Sequence, residues 1–147
     1  MKLKICILIA CLAIFKISIC QETILLKDRG FADLTIRFKG SGLGDLSVNF
    51  KDQGVSDITV SVTKDKSKAH FILKKTGSGD RTVKIIEKGI GDLNVVINKN
   101  NISNVSITII NNGTPDYYIY SDNEEVTKEE IIICLINIIK EKMNYSS

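Results

Sequence analysis

The chain has 147 residues, 20 Lys plus Arg against 17 Asp plus Glu, four Cys, one His and no Trp, which bounds it to one modest domain. The formal charge of +3 comes from Lys2, Lys4 and Lys16; without the first twenty residues, 17 basic side chains face 17 acidic ones. A balanced chain lacks the standing excess of Lys and Arg with which a protein neutralises phosphates, so nucleic-acid binding is excluded as an expectation.

Residues 1–20 read as a secretory signal peptide. Lys2 and Lys4 precede an apolar run from Ile5 to Phe15, and Ser18 and Cys20 place small side chains before polar Gln21. The run is too short for a membrane span of about 20 residues. Cleavage after Cys20 predicts a secreted, periplasmic or cell-surface protein. A lipid anchor on Cys11 or Cys20 is the one route to a membrane that the leader offers. The mature chain keeps only Cys134, so no internal disulfide is expected and stability must come from packing. Triplets for N-glycosylation occur at Asn101, Asn104, Asn112 and Asn144.

From residue 21 to residue 121 a twelve-residue unit recurs. Asp33-Leu-Thr-Ile, Asp45-Leu-Ser-Val and Asp57-Ile-Thr-Val align, the pattern weakens at Ala69, and after one deletion it resumes at Asp80, Asp92, Asn104 and Asp116. Stepping back from Asp33 adds Gln21, giving nine units. Within each unit apolar residues alternate (Leu34, Ile36, Phe38; Leu46, Val48, Phe50; Ile58, Val60, Val62), which is the period of a half-buried strand. Glycine-rich linkers such as residues 40–44 and 75–79 supply turn residues. The expected fold is mainly β: about nine short antiparallel strands in a meander that closes as a sandwich or small barrel, followed by one helix. The alternative is a parallel β-solenoid with two units per coil.

Residues 122–147 change period. Thr127 and Glu130 form a capping box, and a helix is expected from about Lys128 to Met143. Residues 131–139 are apolar nearly all round, so the helix must be buried on more than one side. The outward positions Ile86, Val96, Ile110, Tyr118 and Tyr120 are apolar in the later units, and the expectation is that the helix lies across them on the outer face of the sheet.

Little in the chain points to catalysis. His70 has no second histidine or cysteine with ligand spacing and is read as part of the degenerate fourth strand; Cys134, among Ile and Leu, is read as core filling. The Asp column could bind calcium if stacked on one edge. Asp after Gly at a strand entrance is more simply a turn residue bonding its own backbone, and neither metal nor cofactor is expected. Residues 64–88 carry eight basic and three acidic side chains and residues 116–130 carry one basic and six acidic, which reads as complementary surfaces. The outward positions Arg37, Asn49, Ser61 and Lys84 make the candidate polar face for a protein or glycan partner. These features predict an exported, non-enzymatic binding or structural module. The rival function is a carrier holding a small apolar ligand inside a barrel.

The stretch Ala32-Asp33-Leu34-Thr35-Ile36 resembles the unit Ala-Asp-apolar-x-Val-x-Val of small secreted bacterial proteins of the Bacteroidetes type. The resemblance covers roughly residues 24–98, with a unit one residue shorter here. It implies export and β structure. That family has no established activity, so the resemblance supplies no site, and the C-terminal helix lies outside it.

Overall fold

A computed structural model of the protein describes residues 20–98, 103–123 and 125–144. The leader, apart from Cys20, and the acceptor Asn101 lie outside them. Among the described residues there are nine strands: β1 Glu22–Leu26, β2 Leu34–Lys39, β3 Leu46–Lys51, β4 Ile58–Thr63, β5 Phe71–Lys74, β6 Arg81–Ile85, β7 Leu93–Asn98, β8 Val105–Ile109 and β9 Tyr117–Ser121. A helix, α1, runs from Lys128 to Asn144, and a 3-10 turn at Lys66–Lys68 replaces part of the degenerate unit. The strands close into a barrel in the order β1-β5-β9-β4-β8-β3-β7-β2-β6. Every neighbouring pair is parallel.

The antiparallel meander is therefore wrong, and so is the two-unit coil. Strands consecutive in sequence do not pair with each other. β6 lies between β1 and β2, β7 between β2 and β3, β8 between β3 and β4, and β9 between β4 and β5. The chain circles the barrel twice, and since β1 pairs with both β5 and β6, each circuit holds between four and five units.

Parallel neighbours ordinarily need a crossover of a dozen or more residues, because the chain must return along the full strand. Here the stagger removes that requirement. β6 begins at Arg81 opposite Ile24, two residues into β1, and β2 begins at Leu34 opposite Val83, two residues into β6. Leu26 and Leu34 thus flank the same residue, Val83, from its two sides. Residues 27–33 need only hop over one strand, a distance of about 10 Å at ordinary strand spacing. The linkers are arches on the outside of the barrel, not hairpins. The same stagger tilts the strands strongly and widens the barrel.

Contact beneath the arches is close. A Cβ on Gly79 would stand 2.9 Å from the Thr23 carbonyl oxygen and 3.0 Å from the Leu25 nitrogen, so the arch between β5 and β6 rests on the backbone of β1. Gly79→Ala is expected to destabilise by about 1 to 3 kcal/mol, the usual range for overpacking. Ser78→Ala, on the exposed crest of the same arch, should leave the denaturant midpoint unchanged, and equal midpoints for the two variants would refute the close crossing.

The inward side chains are those the alternation assigns. Ile24, Ile36, Val48, Ile58, Val60, Leu73, Val83, Val95, Ile107 and Ile119 have no solvent exposure, and they form one cluster with the helix. Ile131 to Ile136 are six consecutive helical residues at 0 to 1 % exposure, so no side of that stretch meets water. Only the inside of a closed barrel surrounds a helix in this way, and α1 threads it. The capping box forms as expected: Thr127 N–H donates to Glu130 Oε2 at 2.9 Å and Glu130 N–H to Thr127 Oγ1 at 3.2 Å. Lys128 and Glu129 sit at the mouth where β2, β3 and β7 end, and Lys142 approaches Asp57 at the entrance of β4. The helix therefore runs back through the barrel against the strand direction. Docking on the outer face is corrected accordingly. None of Ile86, Val96, Ile110, Tyr118 and Tyr120 belongs to the helix cluster. Arch glycines lie close against two of them: a Cβ on Gly44 would meet Val96 Cγ2 at 2.7 Å, and one on Gly91 would meet Ile86 Cδ1 at 3.3 Å.

Candidate functional site

The recurrent Asp closes each arch onto the strand it crosses. Thr82 of β6 donates its N–H and its hydroxyl to Asp33 Oδ2 at 2.7 and 2.8 Å, while Asp33 N–H donates to Thr82 Oγ1 at 2.9 Å. Asp57 holds Ser106 of β8 in the same way, Asp92 holds Thr35 of β2, and Asp116 holds Thr59 of β4. Asp45 accepts from the backbone and side-chain nitrogens of Asn94, Asp80 from Thr23 N–H, and Asn104 Oδ1 from Ser47 N–H. In the degenerate unit His70 takes over the role, its Nδ1 accepting from Tyr118 N–H at 3.1 Å. The partners are 48 to 57 residues apart, so the reading of these Asp as turn residues bonding their own backbone is corrected. Asp33, Asp45, Asp57 and Asp92 all have pKa values held below the ordinary 3.8, chiefly by these hydrogen bonds. The carboxylates are dispersed over separate strands. Among the described residues no group of three or more His, Cys, Asp or Glu is gathered to hold a metal.

The polar positions singled out from the sequence do not form one face. Arg37, Asn49, Ser61 and Lys84 all point outward, from β2, β3, β4 and β6. β6 and β2 are neighbours, but β7 separates β2 from β3 and β8 separates β3 from β4. Asn49 is only 4 % exposed, and Arg37 Nη1 is bonded to the Gly89 carbonyl at 3.2 Å. Their dispersal follows from the interleaved circuits, which put residues twelve apart two strands apart.

The surface carries instead an apolar feature absent from the expected sites. Phe31, Leu43, Val55 and Ile90 are 91 to 100 % exposed. Each stands two residues before a clasping Asp and directly after a glycine in the left-handed region, as at Gly42 with φ 95°. Their arches cross β6 (Phe31), β2 (Ile90), β7 (Leu43) and β8 (Val55), as the Asp partners show. β6, β2 and β7 are consecutive, and β8 follows after β3. Because the register advances by two residues at each of these strands, equivalent positions lie on a belt around the barrel; Phe31, Ile90 and Leu43 are consecutive on it, and Val55 stands two strands further on, so the four span four of the nine strand-to-strand steps. The arches crossing β1 and β4 carry Ser78 and Thr114 at the same position. The apex backbone is already bonded: Lys27 Nζ donates to the Phe31 carbonyl at 3.0 Å, Lys39 Nζ to that of Leu43 at 3.3 Å, and Lys51 Nζ to that of Val55 at 2.8 Å. The repeat displays this apolar position plainly, but local sequence does not distinguish an exposed crest from a side chain folded under its turn.

Clefts open at the mouth where the helix enters. One, of about 700 Å³, is lined by Phe38, Phe50, Ile97, Asn49, Asn98 and Lys128, with Lys128 Nζ 5.1 Å from the centre of the Phe50 ring. Another, about 340 Å³, lies beside the Lys75 and Glu130 pair, whose charged atoms are 3.3 Å apart. Inside the barrel, Arg81 donates Nε to Glu22 Oε1 at 2.8 Å and Nη2 to the Ile133 carbonyl at 3.4 Å, tying β6 to β1 and to the helix. Burial pushes the Cys134 thiol well above its ordinary range, which removes it as a nucleophile. Among the described residues no helix is long and apolar enough to cross a membrane. In comparisons with known proteins the chain matches no protein-family model and no curated protein.

Proposed function

We propose that this is an exported, non-catalytic binding module that engages its partner through the apex row Phe31, Ile90, Leu43 and Val55. The observation that supports it is the exposure of four large apolar side chains, each above nine-tenths, on crests anchored at their bases. A fold gains nothing from holding apolar groups in water, and apolar surface confined to one arc of a repeat favours an apolar counter-surface. The helix filling the barrel argues against an interior ligand, so the carrier is the weaker reading. Export rests on the leader, and the secreted chain is expected to have the mass that follows cleavage after Cys20.

The test uses that mature chain and a variant with all four apices changed to Ser. Both should melt at the same temperature, because the apices contact little, while the variant should elute much earlier from a phenyl matrix under falling ammonium sulfate. Unchanged retention would refute the apex row as a docking surface.

A further inference from the structure

We propose that the counter-surface is a second copy of this chain, which meets the crests of Phe31, Ile90 and Leu43 in a weak two-fold dimer; this rests on the reading of the apex row as the docking surface. The arches of these three residues cross the consecutive strands β6, β2 and β7, so their crests share one side of the barrel. Val55, two strands further on, stays outside the contact.

Charge identifies the occupant. Two neighbouring arches carry an acid and then a base directly before the left-handed glycine: Asp28-Arg29-Gly30 before Phe31, and Glu87-Lys88-Gly89 before Ile90. The other left-handed glycines among the described residues, Gly42, Gly54, Gly77 and Gly113, follow uncharged Ser41, Gln53, Thr76 and Asn112. Asp28, Arg29, Glu87 and Lys88 are all exposed, and none of them enters an ion pair among the described residues. Two carboxylates and two cations therefore flank the adjacent crests of Phe31 and Ile90 without partners of their own. A partner of a single sign would be repelled by half of them. A second copy, turned so that the acid-to-base order is reversed, sets each carboxylate against a cation while apolar crest meets apolar crest. Such self-complementarity is what a two-fold contact requires.

Size and stiffness set the strength. Residues 28–31, 40–43 and 87–90 are all exposed. They are about half of the roughly 20 to 30 residues that each partner contributes to a standard interface, which puts the dimer in the weak, transient class. Little ordering is needed to form it. Lys27 and Lys39 brace the carbonyls of Phe31 and Leu43, and Arg37 braces that of Gly89, so the crests are held before contact. A dissociation constant on the order of 100 µM is expected, rising several-fold in molar salt as the exposed charge pairs are screened.

Sedimentation equilibrium of the mature chain, up to about 1 mM, reads this association directly. Phe31→Ser should weaken it about tenfold or more, as expected for losing one buried aromatic contact, and Val55→Ser should leave it unchanged. Arg29→Glu with Lys88→Glu makes all four charges acidic, and Asp28→Lys with Glu87→Lys makes all four basic. Each double variant should be monomeric alone, and mixing the two should restore a heterodimer. A dimer indifferent to these changes would use another face and overturn the proposal. A parent chain that stays monomeric at about 1 mM would overturn it as well. In that case, early elution of the fourfold Ser variant from the phenyl matrix would leave the docking surface standing with a different partner, and unchanged retention would refute the docking reading itself.

Discussion

Truncation after Asp122 is expected to leave a chain with no cooperative thermal transition. The helix that would be lost supplies Ile131, Ile132, Ile133, Leu135, Ile136 and Ile139, all without solvent exposure. At about 1.5 to 3 kcal/mol for each fully buried side chain, they contribute roughly 10 to 20 kcal/mol before entropy is subtracted. That is comparable to or larger than the whole net stability of a domain, about 5 to 15 kcal/mol. Repacking cannot recover it, because the circumference is fixed by nine hydrogen-bonded strands and the inward side chains cannot reach across the width a helix occupied. Circular dichroism and calorimetry on the truncated and full mature chains decide the matter. A soluble truncated domain that melts cooperatively would show the barrel to be self-sufficient. In the full chain, Leu135→Asp should be similarly severe, since it buries an unpaired carboxylate, whereas Asn137→Asp on an exposed helical position should be close to neutral.

The features legible in the sequence were those governed by local period. Alternation placed Leu46 and Val48 inward, Thr127 with Glu130 marked the helix start, and the all-round apolar run required burial on several sides. Strand direction was not legible. A six- or seven-residue linker fits a hairpin as well as an arch, and the two differ only in whether another strand passes beneath, a fact set by pairing 49 and 57 residues away. The outward apolar residues of the later units misdirected the helix for a related reason. A strand under an arch has two buried faces, so Val96, at 1 % exposure, needs no helix above it. One clue was present in the chain all along. A hydroxyl or amide recurs two residues after the Asp, at Thr35, Ser47, Thr59, Thr82, Asn94 and Ser106. The side chains of Thr35, Thr59, Thr82, Asn94 and Ser106 each donate to an Asp from the other circuit, while Ser47 donates its backbone N–H to Asn104.

Those clasps make stability depend on pH, with a sign that follows from their ionisation. Asp33, Asp45, Asp57 and Asp92 ionise below the ordinary 3.8 in the folded chain because strand N–H and hydroxyl or amide donors stabilise their anions. A carboxylate with a lowered folded pKa stabilises the fold above its unfolded value and loses that contribution as pH falls through the folded one. The clasp contribution should therefore be complete at neutral pH and fade as the pH falls below about 4. Replacing all four by Asn isolates it from every other acid in the chain. Asn104 already clasps Ser47 through Oδ1, so the neutral amide preserves the geometry and removes only the charge. The fourfold Asn variant should melt several degrees below the parent at pH 7, and the gap should narrow as the pH falls below about 4, because protonation of the parent's carboxyls leaves them acceptors as weak as the amides. A gap that stayed constant with pH would mean that the Asp column acts through shape alone. Replacing the same four by Ala removes the acceptor as well as the charge, and should lower the melting temperature further than Asn at every pH, because eight of the nine strands are pinned at their entrances by such a side chain.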